Sequence, residues 1–286
     1  FSGETDLSRS FREEMFRDND MTKEIAYPLA YIYMRAMTAF NTMSEAGNPS
    51  RFVIGGSSKR GLTQWVVAAV DGRVKGFMSS AFNAANLINF WNLVDQDWGG
   101  TSYLAISNAE TVLAWLNTDG GKKYRQLYDP YEFQESIVVP FVMNVGTQDH
   151  LYPLESANAF FPALKGSKAF TLIENYPHGM GSMKLAINWR AVIHRAFLGR
   201  KTPDIRMTSQ DLGTQIRVTA IVSNNELLQS VALFYATSPS MDFRSSVFRS
   251  VAMQDSDGSF TATIDKPPSN NKLAYYVELK DAKDQA

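Results

Sequence analysis

The pattern of apolar and polar positions over the first two hundred residues predicts strands and helices that follow one another. Short apolar or β-branched runs are typical of buried strands, and apolar residues at helical spacing indicate helices. The predicted strands are 51–54, 73–80, 137–145 and 168–176, and the predicted helices are 22–46, 61–70, 155–164 and 184–198. Because strands that alternate with helices usually form a parallel sheet, this part of the chain is predicted to have an α/β fold. Between the second and third strands, residues 82–135 are irregular, mainly helical and rich in Asn and Trp.

The pattern changes near Lys201. Five stretches of alternating or β-branched and aromatic residues follow without a helix between them, and Asn, Asp, Gly and Pro separate them. They cover 214–223, 230–238, 246–254, 259–265 and 272–280. Such spacing favours an antiparallel β-sandwich. We therefore expect two domains, an α/β domain over 1–200 and an immunoglobulin-like β-sandwich over 201–286.

Composition narrows the classes of function. The 28 basic and 29 acidic residues among 286 give a net charge of −1, which provides no overall field for nucleic acid or an anionic membrane. No apolar run approaches the roughly 20 residues of a membrane-spanning helix. The chain has no cysteine and three dispersed histidines, a poor set of metal ligands. We predict neither a metal site nor a cofactor.

The stretch GGSSKRG, residues 55–61, places small residues and serines between a predicted strand and a predicted helix. A phosphate-binding turn would need a lysine directly after the last glycine, but Leu62 follows Gly61. The glycine spacing also differs from that of a dinucleotide-binding turn. The remaining alternatives are a purely structural turn and a turn that presents Ser58 as a nucleophile. Relative to the common G-x-S-x-G pattern, Gly61 lies one position late.

Two later residues favour the nucleophile. Asp149 follows the third predicted strand and His178 follows the fourth, so the chain order is Ser, Asp, His, as in α/β hydrolases. The loops that leave the carboxyl ends of parallel strands share one sheet edge, so these residues can meet. In this interpretation the amide of Lys59 is an oxyanion donor. His150 is a loop residue beside the acid and a candidate for the cleft wall, whereas His194 lies within a predicted helix.

Three stretches resemble a known family. They are GGSSKRGLTQWVVAAVDGRVKG, DPYEFQESIVVPFVMNVGTQDHLYP and IENYPHGM, within residues 21–198. They are similar to the PhoPQ-activated pathogenicity-related proteins, an α/β-hydrolase-like group of secreted proteins that includes an autocrine proliferation repressor. The family's G-x-S-K-R-G block falls on residues 56–61, its acid on Asp149 and its histidine on His178. The resemblance implies a hydrolase fold, a helical insertion over the site and secretion.

Two functions remain open at this point. One is hydrolysis of an unknown acyl substrate, an ester or an amide, by Ser58, Asp149 and His178. The other is a non-catalytic signalling or binding protein that uses the β-sandwich as its binding face. Aromatic residues of the insertion are candidates for a lid that contacts substrate, with core packing as the alternative. They are Trp91, Trp98, Trp115 and Tyr103.

The sheet predicted from this chain is incomplete for a hydrolase. In that fold, several strands precede the nucleophile strand, and the loop after one of them supplies half of the oxyanion hole. Only 57 residues precede Ser58 here, and their pattern is mostly helical. We therefore expect strand 51–54 to be central, with the N-terminal remainder of the same protein or a second chain completing the sheet beside it.

Overall fold

Among the residues that the structure describes, a four-stranded parallel sheet forms the centre of the first part of the chain. The computed structural model describes residues 10, 13–15, 17–18, 20–102, 104, 108–201, 203–224 and 228–281. Strands β1 (Phe52–Ser57), β2 (Val74–Ser80), β3 (Phe141–Gly146) and β4 (Lys168–Ile173) lie in the order β1-β2-β3-β4. Helices α1 (Ala26–Asn41), α2 (Lys59–Val70) and α6 (Met183–Leu198) accompany the sheet. This arrangement confirms the predicted α/β-hydrolase-like fold.

Helix α2 is fixed to the sheet by a buried aromatic group. The Trp65 ring is fully buried, and its centroid lies 5.0 Å from those of both Phe77 and Phe141. Its indole N–H donates to the Ser79 hydroxyl at 3.0 Å, and that hydroxyl donates to the Gly61 carbonyl at 3.1 Å. Since a buried indole N–H without a partner is costly, Ser79 both satisfies Trp65 and holds α2 on β2.

The insertion between β2 and β3 is helical, as predicted. It contains α3 (Leu87–Trp98), α4 (Ala109–Leu116) and α5 (Asp119–Tyr128). The buried carboxylate of Asp129 accepts the amides of Asn86 at 2.8 Å, Leu87 at 2.7 Å and Tyr131 at 3.1 Å. One side chain thus joins the end of the insertion to its beginning. Tyr103 lies outside the described residues.

Over its described residues, the C-terminal part forms two antiparallel sheets. Their strands are β5 (Asp204–Asp211), β6 (Gln215–Ser223), β7 (Leu228–Ser238), β8 (Arg249–Ala252), β9 (Gln254–Ser256), β10 (Ser259–Asp265) and β11 (Lys272–Asp281). The orders are β5-β6-β10-β9 and β11-β7-β8. Val218 and Ile264 from the first sheet pack in one buried cluster with Leu233 from the second. The predicted antiparallel sandwich is therefore present.

Some predicted elements differ from the structure. The predicted helix 155–164 is a pair of 3-10 turns, Leu154–Ala159 and Phe161–Ala163, because Pro162 interrupts it. The sequence pattern missed β5, whose residues are almost all exposed and polar, and the short strand β9.

Strand 51–54 has one open side, as the sequence led us to expect. Within the described part of the chain, β1 pairs with β2 alone, and completion of the sheet beside it by a further segment or a second chain stays a prediction. On α1, the Tyr33 hydroxyl donates to the Gly55 carbonyl at 2.9 Å.

Candidate active site

Ser58 lies at a sharp turn between β1 and α2. Its φ of 59° and ψ of −124° form a combination that non-glycine residues rarely adopt. The amide of Ser58 donates to the Ser80 carbonyl at 2.9 Å, and its side chain does not cap the helix. The hydroxyl is therefore left for other chemistry at the carboxyl edge of the sheet.

The glycines around Ser58 are required by close packing. A Cβ on Gly56 would lie 2.6 Å from the Arg60 carbonyl oxygen, and one on Gly61 would lie 2.7 Å from that of Ser80. Gly61 thus lets α2 cross the end of β2 directly. This contact explains why the second glycine follows Ser58 by three positions.

Asp149 and His178 form a hydrogen-bonded pair. Nδ1 of His178 lies 2.9 Å from Oδ2 of Asp149, whose other oxygen accepts the Leu151 amide at 2.8 Å. The Asp149 side chain is 1% exposed and that of His178 is 17% exposed. Because a carboxylate only accepts, Nδ1 carries the proton and Nε2 is the basic nitrogen.

The structure does not join Ser58 to this pair by a hydrogen bond. Among the described residues, neither ring nitrogen of His178 receives the Ser58 hydroxyl. Strands β1 and β4 are three places apart, about 14 Å at the usual strand spacing of about 4.8 Å. The pairing with Asp149 places His178 beside the loop that follows β3, one strand nearer to β1 than β4 is.

The other predicted site residues have different surroundings. His150 is exposed, and its ring centroid lies 5.8 Å from that of His178. Trp91 and Trp98 are only 7% and 9% exposed and pack in the main core, so little of either indole can reach a substrate. The Lys59 amide is at the first position of α2, where helix amides point toward the N-terminal end.

Tyr152 also belongs to this region, although it was not among the predicted site residues. Its ring centroid lies 5.8 Å from His178 and 5.9 Å from both Phe82 and Phe90. It therefore packs between the insertion and the imidazole. Its place three residues after Asp149, in the same loop, was the available signal.

The carboxyl groups of Asp129, which is buried, and Glu155, which is half-buried, lie in or near the insertion. Burial, and then the neighbouring carboxyl of Asp97, raise the pKa of Glu155 to about 8. Burial also raises the pKa of Asp129 to about 6, against the opposing effect of its three amide donors. In both cases the loss of hydration favours the neutral acid.

Metal and membrane features are absent from the part of the chain that the structure describes. Over those residues, no three His, Cys, Asp or Glu side chains gather as they would around a metal ion. Over the same residues, no helix has the length and apolar character needed to cross a bilayer.

Comparison with known proteins places the chain in one family. The family model for the PhoPQ-activated pathogenicity-related protein matches residues 4–244. Among curated proteins, autocrine proliferation repressor protein A of Dictyostelium discoideum is 21% identical over 259 residues, which are 82% of this chain and 52% of that protein. The chain thus spans about half the length of this relative.

Solved structures with a similar arrangement are distant. Acetyl xylan esterase 1 from Thermoanaerobacterium sp. JW/SL YS485 is 16% identical, with a TM-score of 0.45 over 60% of this chain and 52% of the esterase. The Pyrococcus horikoshii acylaminoacyl peptidase is 16% identical, with a TM-score of 0.47 over 64% of this chain and 29% of the peptidase.

Proposed function

The chain belongs to the PhoPQ-activated pathogenicity-related protein family, and on that premise we propose that it is a secreted serine hydrolase of acyl substrates. Ser58 is the nucleophile, His178 the general base and Asp149 the acid that orients the imidazole. The substrate is an ester or an amide. Residues 1–200 form the catalytic domain and residues 201–286 an immunoglobulin-like domain, although the family match continues into the second of these to residue 244.

The 2.9 Å contact between His178 Nδ1 and Asp149 Oδ2 is the main support for this proposal. A histidine that merely terminates a loop has no need of a carboxylate that is 1% exposed. Here the acid fixes the tautomer in which Nε2 accepts a proton, and it stabilises the imidazolium that then forms. The strained backbone of Ser58 is a second, independent feature of such sites.

In the proposed reaction, Ser58 Oγ attacks the carbonyl carbon while Nε2 of His178 takes the hydroxyl proton. The oxyanion is stabilised by the Lys59 amide, and a lost donor of this kind typically costs about 10²–10³ in rate. When the intermediate collapses, the leaving group departs with the proton from Nε2. A water molecule then releases the acyl group by the same route. Contacts between nucleophile and base are often long without substrate and shorten in the complex.

The experiment is covalent labelling of the full chain with a fluorophosphonate, followed by mass spectrometry of the modified peptide. We expect modification at Ser58, its loss in Ser58→Ala, and slower labelling in Asp149→Asn. Ser57→Ala is the matched control, because Ser57 is the exposed neighbour in the same turn. Absence of labelling in the folded wild type would refute the hydrolase and favour the non-catalytic alternative.

Secretion is tested separately. We expect the protein from its native source in the culture medium rather than the cell pellet. Retention in the pellet would contradict this part of the proposal alone.

A further inference from the structure

The loops that carry Asp149 and His178 are linked to each other by backbone contacts. The Thr147 amide donates to the Ile173 carbonyl at 3.0 Å, and the Gln148 amide donates to that of Tyr176 at 3.0 Å. In return, the Asn175 amide donates to the Thr147 hydroxyl at 2.8 Å. These hydrogen bonds join the two loops into one unit.

A segment of the C-terminal part contacts these two joined loops. We call residues 239–248, between β7 and β8, the docking segment. The Gln148 side chain donates to the Ser246 carbonyl at 2.9 Å. The Asn175 side chain binds Phe248 twice, donating to its carbonyl at 3.0 Å and accepting its amide at 2.7 Å. These contacts join residues 98 and 73 positions apart in the chain.

The docking segment is itself held in place. Phe243 and Phe248 are 5% and 3% exposed, and their cluster includes Leu154 of the hydrolase-like part. Arg244 is paired with Asp242 at 2.6 Å, and its guanidinium lies 4.2 Å from the Trp98 ring. An element fixed by buried aromatic residues and a cation–π contact can hold the loops it binds.

From these contacts we propose that Gln148 and Asn175 are positioning residues, through which the docking segment holds Asp149 and His178 in the geometry that the reaction requires. Gln148 immediately precedes the acid, and Asn175 lies three residues before the histidine. The inference rests on the proposed function. It gives the C-terminal sheets a part in the catalytic machinery rather than a separate binding role.

Asn175 is well suited to substitution. It is exposed, so removing its side chain leaves no buried cavity, and its φ of 60° is one that glycine adopts freely. Asn175→Gly therefore deletes both hydrogen bonds to Phe248 without backbone strain. Asn175→Asp keeps the acceptor and loses the donor, and Gln148→Met keeps the length and loses the donor. Val247→Ala is the control, because Val247 is 62% exposed within the same segment.

The first measurement is the rate of fluorophosphonate labelling of the full chain as a function of pH. The thermal midpoint of each variant is measured alongside it. Since small misplacements can cost up to about 10²-fold in rate, we expect Asn175→Gly and Gln148→Met to label about 10- to 100-fold more slowly. Their pH profiles should shift, and Asn175→Asp should be intermediate. Val247→Ala should match the wild type. Wild-type rates and pH profiles in Asn175→Gly and Gln148→Met would overturn the inference.

The second measurement does not depend on activity. With only three histidines in the chain, the Nδ1 proton of His178 can be assigned by NMR of ¹⁵N-histidine-labelled protein. We expect its signal to be lost or broadened in Asn175→Gly. If the wild type is never labelled, the proposed function fails, but this signal still decides the inference: loss supports it and retention overturns it. If Asn175→Gly does not fold, Asn175→Asp and Gln148→Met provide the same comparison.

Discussion

A methyl group at position 61 should disturb both the stability of the fold and the turn that presents Ser58. In Gly61→Ala, the new Cβ would lie 2.7 Å from the Ser80 carbonyl oxygen and 2.9 Å from the Phe82 Cβ. Ordinary contact begins at 3.4 Å, so the first distance is short by 0.7 Å (3.4 − 2.7). The neighbour is the backbone of β2, which cannot rotate away as a flexible side chain would. Helix α2 must move outward instead.

The expected loss of stability follows from two opposing effects. Overpacking of this kind usually costs about 1–3 kcal/mol. Replacing glycine by alanine within a helix returns about 0.5–1 kcal/mol. We therefore expect the free energy of unfolding to fall by about 1–2 kcal/mol, which lowers the thermal midpoint by roughly 2–4 °C for each kcal/mol.

The effect on chemistry should exceed the effect on stability. Moving α2 stretches the 3.1 Å bond from Ser79 to the Gly61 carbonyl, and Ser58 lies at the same end of the helix. We expect fluorophosphonate labelling at least tenfold slower than in the wild type, at a temperature where both proteins are folded. Circular dichroism gives the midpoint, and mass spectrometry gives the labelling rate.

Gly72→Ala is the matched control. A Cβ at Gly72 meets nothing within 4 Å, so stability and labelling should stay close to wild type. If Gly61→Ala retains both the wild-type midpoint and the wild-type labelling rate, then α2 can slide freely on β2. The close approach would then not be what forces glycine at this position.

Two further substitutions test the buried polar groups. Because the folded chain keeps the Glu155 proton up to about pH 8 and the unfolded chain releases it near 4.5, the free energy of unfolding should fall as pH rises between these values. Glu155→Gln should make the free energy of unfolding less dependent on pH, and it should raise the thermal midpoint more near pH 9 than near pH 4. Equal shifts of the midpoint at the two pH values would contradict the raised pKa of Glu155. Trp65→Phe removes the donor to Ser79 and leaves a cavity, so urea unfolding should show that the free energy of unfolding falls by about 2–4 kcal/mol. A fall below about 0.5 kcal/mol would contradict this role of Trp65.

Local patterns were sufficient to predict much of the fold. The apolar run before Asp149 contains β3, which is buried throughout, although the strand begins at Phe141 rather than at residue 137. Chain order and the shared edge of a parallel sheet predicted that Asp149 and His178 would meet, and they lie in hydrogen-bond contact. Strand β5 was not predicted because most of its residues are polar, and it is a strand because it pairs with β6.

Contacts between distant residues could not be predicted in this way. Nothing near Asn175 in the chain indicates that its side chain binds Phe248, since the pairing exists only after two sheets have packed. Trp91 and Trp98 were candidates for substrate contact because they lie in the insertion that was predicted to form a lid. Their burial depends on neighbours that come together only in the folded protein.

The bond between the two ends of the insertion has a consequence for how this fold can diverge. Since Asp129 holds the amides of Asn86 and Leu87 within 2.8 Å, residues 86–129 leave and rejoin the sheet region at nearly one point. Such a closed segment can change length cheaply, because each doubling of a loop adds only about 0.6 kcal/mol of closure entropy. Related proteins can therefore differ in this insertion while the strands keep their order. Under the proposed function, such changes can alter substrate preference without moving Ser58, Asp149 or His178.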